Sequence, residues 1–157
     1  MLEEVIFTED NGVGIITLNR PDRLNALTYS MVQKINKNLN SWEISEKINC
    51  VIIEGAGGWA VPITSDYYVG DLATELCSDV LIVVDNKLGA LNKTILTANA
   101  IRDKGLHLAG IILNHVEVER DTASISNRSI LEGTINPPFI IDILHDETSI
   151  EYPFNSI

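Results

Sequence analysis

The sequence predicts an α/β protein with a mostly parallel sheet between helices on both faces, a three-layer arrangement, preceded by an N-terminal β-hairpin and helix. Short apolar runs and helical apolar patterns alternate from residue 51 onward, which is the pattern of βαβ units. The runs at 80–84 and 108–113 are almost wholly apolar. Because strands with one face in water alternate apolar and polar residues, these two runs are expected to be buried parallel strands.

The first fifty residues predict a hairpin followed by a helix. β-prone runs at 4–8 and 13–18 flank Asp10-Asn11-Gly12, and an Asn-Gly pair tolerates the positive φ of a tight hairpin turn. A helix is expected to begin near Thr28 or Ser30, either of which can cap free N–H groups. Its apolar positions recur at helical spacing, at Met31, Val32, Ile35, Leu39 and Trp42. We expect strand 13–18 to lie at or near an edge of the parallel sheet, with the helix covering one face.

The remaining elements alternate along the chain. Strands are expected at 50–53, 80–84, 108–113 and 139–143, and helices at 66–78, 90–104 and 121–131. Strands 51–53, 80–84 and 108–113 are expected to be neighbours in one sheet. Ligands bind beyond the carboxyl ends of parallel strands. The informative residues are therefore the ones that follow each strand, which are Glu54, Asp85, Asn114 and Asp142.

Composition narrows the class of protein further. The chain has 157 residues, 45% of them hydrophobic, which predicts one globular protein with a real core. Its formal net charge of -11 argues against nucleic acid or an anionic membrane as a partner, because phosphate would repel it. Apolar runs are far shorter than the ~20 residues of a membrane span. Cys50 and Cys77 alone predict neither a disulfide-linked partner nor a zinc site. We therefore expect a cytoplasmic protein.

Three spaced motifs occur at the predicted strands of the longer, second region or directly after them. They are Glu54-Gly55-Ala56-Gly57-Gly58, then Leu88-Gly89-Ala90-Leu91-Asn92, and finally Gly110-Ile111-Ile112-Leu113-Asn114. In order and spacing, residues 49–145 resemble the C-terminal half of the dethiobiotin synthetase family. The resemblance implies part of a P-loop NTPase-like fold. It also implies ATP- and Mg²⁺-dependent closure of a ureido ring on 7,8-diaminononanoate with CO₂, a step of biotin biosynthesis.

The same resemblance implies roles for particular residues. Glu54 resembles the family's magnesium-binding Glu, and Gly55, Ala56, Gly57 and Gly58 resemble its nucleotide-contacting loop. Asn114 resembles the Asn that reads adenine. Gly89, Ala90, Leu91 and Asn92 resemble the turn that binds the substrate carboxylate across a homodimer interface. By residue type alone, these positions are more typical of a solvated strand-end Glu, a turn-forming Asn and a helix-capping turn.

The first fifty residues carry a different set of motifs. They are Gly14-Ile15-Ile16-Thr17-Leu18-Asn19-Arg20-Pro21, Arg23-Leu24-Asn25-Ala26-Leu27 and the strand that leads into Gly55-Ala56-Gly57. These resemble the opening of the enoyl-CoA hydratase/isomerase (crotonase) family. We therefore interpret the chain as a chimera, with a crotonase-like segment at 1–50 and a dethiobiotin synthetase-like region at 51–157.

Neither resemblance brings a complete set of reacting groups. No Gly-Lys pair occurs in the sequence, although the phosphate loop of P-loop enzymes uses that Lys to neutralise the β- and γ-phosphates. We therefore expect bound ATP and Mg²⁺ at most, with no catalytic residue and no turnover. Two alternatives stay open. One is a non-catalytic α/β module that meets a partner through helix 90–104, and the other is a truncated crotonase-like acyl-CoA binder.

Overall fold

The computed structural model describes residues 3–23, 27–52, 58–76, 79–119 and 121–147. The chain divides into two compact units, Met1–Gly58 and Trp59–Ile157. Each unit has its own three-stranded sheet. Three of the four strand pairs among the described residues are parallel. The predicted α/β class and the mostly parallel pairing are therefore confirmed.

The first unit is a hairpin and a parallel strand with one helix beside them. Strands β1 (Val5–Asp10) and β2 (Val13–Leu18) pair antiparallel, and β3 (Cys50–Ile52) pairs parallel with β2. Asn11 and Gly12 form the turn with φ of 46° and 84°. Helix α1 (Tyr29–Glu43) begins after Thr28, whose Oγ1 accepts a hydrogen bond from the Met31 amide at 3.3 Å. The hairpin and the Thr28 cap are as the sequence predicts.

Trp42 organises the core of this unit. Its ring meets Phe7 edge-on, with 6.1 Å between centroids, and its Nε1 donates to Glu9 Oε1 at 2.8 Å. Gly14 lets β2 pass beneath the ring, since a Cβ there would lie 2.7 Å from it. Val32, expected inside, is 40% exposed. It follows the fully buried Met31 directly, so it lies about 100° around the helix from the buried face.

The second unit is a parallel sheet with crossover helices. Strands β4 (Asp79–Asp85), β5 (His107–Asn114) and β6 (Ile140–Ile143) are neighbours in that order. Helix α3 (Ala90–Asp103) links β4 to β5, and α4 (Thr122–Ile135) links β5 to β6. Right-handed crossovers in this strand order put both helices on one face, where they contact each other. The core of the unit includes Ala98, Ile101, Leu108, Ile111, Leu113, Leu131 and Ile135.

A glycine sets how closely β5 is approached by the segment leading into β6. The Phe139 ring lies over Gly110, and a Cβ at Gly110 would come closer than 3.0 Å to that ring. The Ile111 amide donates to the Phe139 carbonyl at 3.1 Å. Only a residue without a side chain fits beneath this aromatic ring.

The expected strand order is wrong for the first two strands. Strand 51–53 was expected beside 80–84, but β3 pairs with β2, and Ile53 lies outside the described residues. β2 is the central strand of its own sheet rather than a strand at the edge of the parallel sheet. The described strands thus form two sheets instead of one. A short apolar run predicts a strand but carries no information about which strand supplies its backbone hydrogen bonds.

Burial of two predicted strands is also only partial. Ile52 is 63% exposed on β3, and on β4 Leu81 and Val83 are 45% and 64% exposed. On β4 the alternate residue Val84 is buried. Because side chains alternate across a strand, β4 packs one face into the core of its unit and presents the other.

Two helices differ from their expected bounds. Helix α2 (Val69–Leu76) begins three residues later than the expected helix over 66–78, and the last two expected residues, 77 and 78, lie outside the described residues. The preceding residues form a turn instead, in which Ile63 N donates to the Tyr67 carbonyl at 2.7 Å. Helix α4 extends to Ile135, beyond the expected end at 131, and Asn136 ends it with φ of 49°. Within the described ranges, every helix is too short or too polar to cross a membrane.

The buried face of α4 provides a test of this fold. Leu131 is fully buried, whereas Leu96 on α3 is 61% exposed. We expect Leu131→Ala to lower the free energy of unfolding by about 2–5 kcal/mol, because it removes contacts and leaves a cavity. Leu96→Ala should change it by less than about 0.5 kcal/mol. Urea unfolding of both variants checks this, and equal losses would contradict the placement of α4.

Candidate functional site

The parallel sheet brings three of the four predicted strand-end residues to one edge. Asp85 ends β4 directly opposite Asn114, which ends β5, and Leu113 is the register partner of Asp142 on β6. The fourth, Glu54, lies outside the described residues together with Gly55, Ala56 and Gly57. Gly58 is described and exposed, with open space where a Cβ would stand. The described part of the proposed nucleotide loop is therefore one residue.

The proposed substrate turn lies at the same edge, between β4 and α3. Gly89 has φ of 86° and precedes the helix, so it offers the first amides no side-chain cap. The Ala90 amide donates back to the Lys87 carbonyl at 3.0 Å. Gly89 and Asn92 are exposed, Leu91 is half-buried and Ala90 is buried. The turn is thus open to solvent at the two ends of its motif.

A hydrogen bond between a histidine and a carboxylate links the ends of β5 and β6. His115 follows Asn114, is 4% exposed, and its Nε2 lies 2.8 Å from Asp142 Oδ1. The other oxygen of Asp142 accepts from Arg128 of α4, whose second nitrogen donates to the Ile140 carbonyl at 2.9 Å. An ionised carboxylate only accepts hydrogen bonds, so Nε2 of His115 donates to it.

Electrostatics at this pair keep Asp142 ionised. Burial acts to raise the pKa of the Asp142 carboxyl, but hydrogen bonds from His115 and Arg128 outweigh it and hold the pKa below its ordinary value. The hydrogen bond to Asp142 in turn raises the pKa of Arg128. The arrangement therefore joins the ends of β5 and β6 through an ionised carboxylate that accepts from both His115 and Arg128.

Two buried side-chain amides lie between this pair and the substrate turn. Asn86 follows β4 and is 5% exposed, and Asn127 of α4 is 1% exposed. Asn127 Nδ2 donates to Asn86 Oδ1 at 2.7 Å, and Asn86 Nδ2 donates to the Ser124 carbonyl at 3.0 Å. Asn86 Nδ2 also lies 3.3 Å from His115 Nε2. A continuous polar layer therefore underlies the carboxyl edge of the sheet.

A cleft of about 240 Å³ opens above this layer. Four carboxylates line it, from Asp85, Glu117, Glu119 and Asp121. Lys87 also lines it but is paired with Asp85, and the hydrogen bond that Lys87 donates to that carboxylate raises the pKa of Lys87. Hydrogen bonds from the Ser124 amide and side chain and from the Leu88 amide, the first the largest, lower the pKa of Asp121. The cleft is acidic at neutral pH.

The described residues do not fit the nucleotide that the resemblance implies. A triphosphate would meet net negative charge in this cleft, which raises its binding free energy. No cluster of three His, Cys, Asp or Glu side chains that could hold a metal ion occurs in the described ranges. Glu54, the proposed Mg²⁺ ligand, lies outside them. The geometry of the described site therefore gives no step that runs through ATP or Mg²⁺.

Sequence reasoning missed the residues that build this edge. Asn86, Asp121, Asn127 and Arg128 were not singled out, although each contacts another strand end or the turn. The spacing Asp121-Thr122-Ala123-Ser124 is a recognisable helix-capping signal. A polar residue in a helix interior, such as Asn127, gives no such signal because most are solvated.

Comparison with known proteins places the chain in a family. A family model described as an AAA domain matches residues 19–139, which is well over half of the chain. The chain therefore belongs to this AAA domain family. An ATP-dependent dethiobiotin synthetase BioD from Akkermansia muciniphila is 41% identical over 104 residues, covering 66% of this chain and 49% of that protein. The same-named proteins of Bacillus licheniformis and Bacillus subtilis are 38% and 36% identical over 103 residues, which is 40% and 45% of their lengths.

The chain thus spans less than half the length of these three curated relatives. A solved enoyl-CoA hydratase/isomerase from Xanthobacter autotrophicus Py2 is also similar, at 26% identity, covering 72% of this chain and 38% of that one with a TM-score of 0.33. A structural likeness of that size carries no argument about fold or activity. The chimeric origin of residues 1–50 and 51–157 stays a prediction.

Acid should weaken the Asp142 contacts. The folded-state pKa of Asp142 is depressed, so its contribution is present above the ordinary carboxyl pKa and is lost as pH falls through the lower, folded value. We expect Asp142→Asn to cost about 1–3 kcal/mol at pH 7, because it weakens bonds from His115 and Arg128. The difference from the original protein should shrink as pH falls below the ordinary carboxyl pKa and through the lower, folded one. Urea unfolding at a series of pH values from neutral downward measures it, and a pH-independent difference would contradict the assignment.

Proposed function

We propose that this chain is a dethiobiotin synthetase-like protein of the cytoplasm. The reaction of such a protein would close a ureido ring on 7,8-diaminononanoate with CO₂ and ATP, using Mg²⁺. Glu54 would hold the metal, Gly55, Ala56, Gly57 and Gly58 the nucleotide phosphates, and Asn114 the adenine. Gly89, Ala90, Leu91 and Asn92 would bind the carboxylate end of the diamino acid.

The observation that carries this proposal is the shared carboxyl edge of β4 and β5. Asn114 and the substrate turn lie at that edge, where ligands of parallel α/β sheets bind. The identity to dethiobiotin synthetases over about two thirds of the chain supports the same assignment. The acidic cleft next to the turn argues that the phosphates would not bind in that cleft.

We propose further that a chain of this sequence, on its own, does not turn over. No Gly-Lys pair is available to neutralise charge on the transferred phosphoryl group. The described cleft offers no compensating cation, since Lys87 is engaged by Asp85. Of the proposed ATP contacts, the sequence retains Asn114 and residues 54–58.

An assay of dethiobiotin formation tests both statements. With diaminononanoate, CO₂ and Mg·ATP, we expect product at least ~10³-fold below that formed by the Akkermansia muciniphila relative as positive control. Calorimetry should give an affinity for Mg·ATP weaker than about 1 mM. Turnover near that of the relative would refute incompetence. A micromolar affinity that Glu54→Gln abolishes would show that the nucleotide site is intact.

A second candidate is a non-catalytic module that forms a homodimer through α3. Leu96 on this helix and Leu88 just before it are 61% and 81% exposed. A contiguous apolar patch that included these leucines would be the kind of surface that another chain covers. Lys93, which lies one turn before Leu96 on α3, would contribute to the polar rim of such an interface.

Light scattering after size exclusion decides this candidate. We expect a mass of twice 17.3 kDa, and Leu96→Glu should return the protein to a monomer by burying a charge in the interface. Ile44→Glu is the matched control, since Ile44 is 84% exposed on the other unit. A monomer at every concentration would remove the dimer, as would equal effects of the two variants.

A further inference from the structure

The turn between β4 and α3 is held from a distant part of the chain. Asn127, from the interior of α4, donates to the Lys87 carbonyl at 3.4 Å. Asp121, just before α4, accepts from the Leu88 amide at 3.2 Å through Oδ2. Helix α4 and its N-cap residue therefore bind two consecutive residues, Lys87 and Leu88. The bonded residues are 40 and 33 positions apart in the chain.

The same network of hydrogen bonds also fixes the position of the turn relative to the strand ends. The side chain of Asn127 donates to the side-chain oxygen of Asn86. The backbone N–H of Asn86 donates to the backbone carbonyl of Asn114 at 2.9 Å. Asn86 lies directly before Lys87 in the chain. Movement of the turn away from Asn114 would therefore break hydrogen bonds on both sides of Asn86.

Packing alone does not account for two amides at this place. Burying an amide is costly unless its hydrogen bonds are made, and both Asn86 and Asn127 have partners. Apolar side chains of similar volume would fill the same space without that requirement. What the amides add is direction, because a satisfied buried network fixes one arrangement of the backbone. The backbone that is fixed here leads into the substrate turn at Gly89, and Gly89 has no side chain with which to cap α3.

We propose that Asn86, Asn127 and Asp121 are positioning residues for the substrate turn, residues 89–92, because they hold Lys87 and Leu88, which lead into it, in register with Asn114. The inference rests on the proposed function, in which this turn receives the carboxylate of the diamino acid. The three side chains act through the backbone of the turn. Loss of their contacts weakens substrate binding by loosening the turn, beyond any effect on overall stability.

Two variants, Asn127→Leu and Asp121→Ser, remove different hydrogen bonds to this segment. Asn127→Leu removes both donors of the buried amide with little change of volume. Asp121→Ser acts at the surface: serine remains a good helix cap for the Ser124 amide, which Oδ1 of Asp121 now serves at 2.6 Å, but it has no second oxygen for Leu88. Leu131→Ala is the matched control on the same helix, because it destabilises α4 without touching the turn.

Amide hydrogen exchange measures the turn without any ligand. We expect exchange at Leu88 and Ala90 to accelerate about tenfold in Asn127→Leu, relative to Ile111 in the central strand β5. In Asp121→Ser the acceleration should be confined to Leu88. Leu131→Ala should change all three amides together. Unchanged exchange rates at Leu88 and Ala90 in both Asn127→Leu and Asp121→Ser would overturn the inference. An acceleration of equal size in Leu131→Ala, confined to the turn, would also overturn it.

Substrate titration then connects the turn to the proposed function. We expect the NMR resonances of the Gly89 and Leu91 backbone amides to shift saturably as 7,8-diaminononanoate is added. Asn127→Leu and Asp121→Ser should each weaken the affinity for this substrate about tenfold. Wild-type affinity in the variants, despite a loosened turn, would overturn the positioning role. Failure of the original protein to bind would refute the proposed substrate site, while the exchange experiment alone would still decide whether these residues hold the turn.

Discussion

The parallel pairing of β4 with β5 is the constraint on which the second unit depends. A parallel pair needs a crossover, so α3 must leave the carboxyl end of β4 and return to the start of β5. That path places the N-terminus of α3 at the edge where Asp85 faces Asn114. The proposed site is thus a consequence of strand direction, and the apolar residues of α3 and β5 hold that direction in place.

Charge at the carboxyl edge is organised at two depths. Beneath the surface, the carboxylate of Asp142 lies between His115 and Arg128, and its negative charge is compensated. Above it, the cleft carries acidic side chains in contact with water, where repulsion is screened. A protein with a net charge of -11 can keep such a cleft because the buried layer below it is satisfied.

How far the sequence could predict this structure depends on the range of each signal. The Asn11-Gly12 turn and the Thr28 cap depend on neighbouring residues only, and both were predictable. The apolar runs at β4 and β5 identified parallel strands correctly. The partner of β3 was not predictable, because its three residues form hydrogen bonds with a strand 37 positions away. Burial of Leu81 and Val83 failed for a related reason, since apolar character does not say what covers a face.

The candidate site divides in the same way. Strand-end positions Asp85, Asn114 and Asp142 could be placed on one edge from strand direction alone. Asn86 and Asn127 could not, because their meeting depends on the rotation of α4 against the turn. Helical spacing in α4 marks its apolar face and is silent about a single buried amide among Ser and Asn residues.

The contact between Gly110 and Phe139 also constrains how this sequence can evolve. The bare backbone of β5 and the ring that lies over it form a pair in which each residue limits the other. Any mutation that gives position 110 a side chain is harmful while the ring is present, yet becomes acceptable once position 139 holds a smaller residue. Changes at the two sites must therefore arrive in a set order along a lineage. Descendants of this sequence would carry glycine with an aromatic residue, or a side chain with a small one, and seldom the mixed pairs.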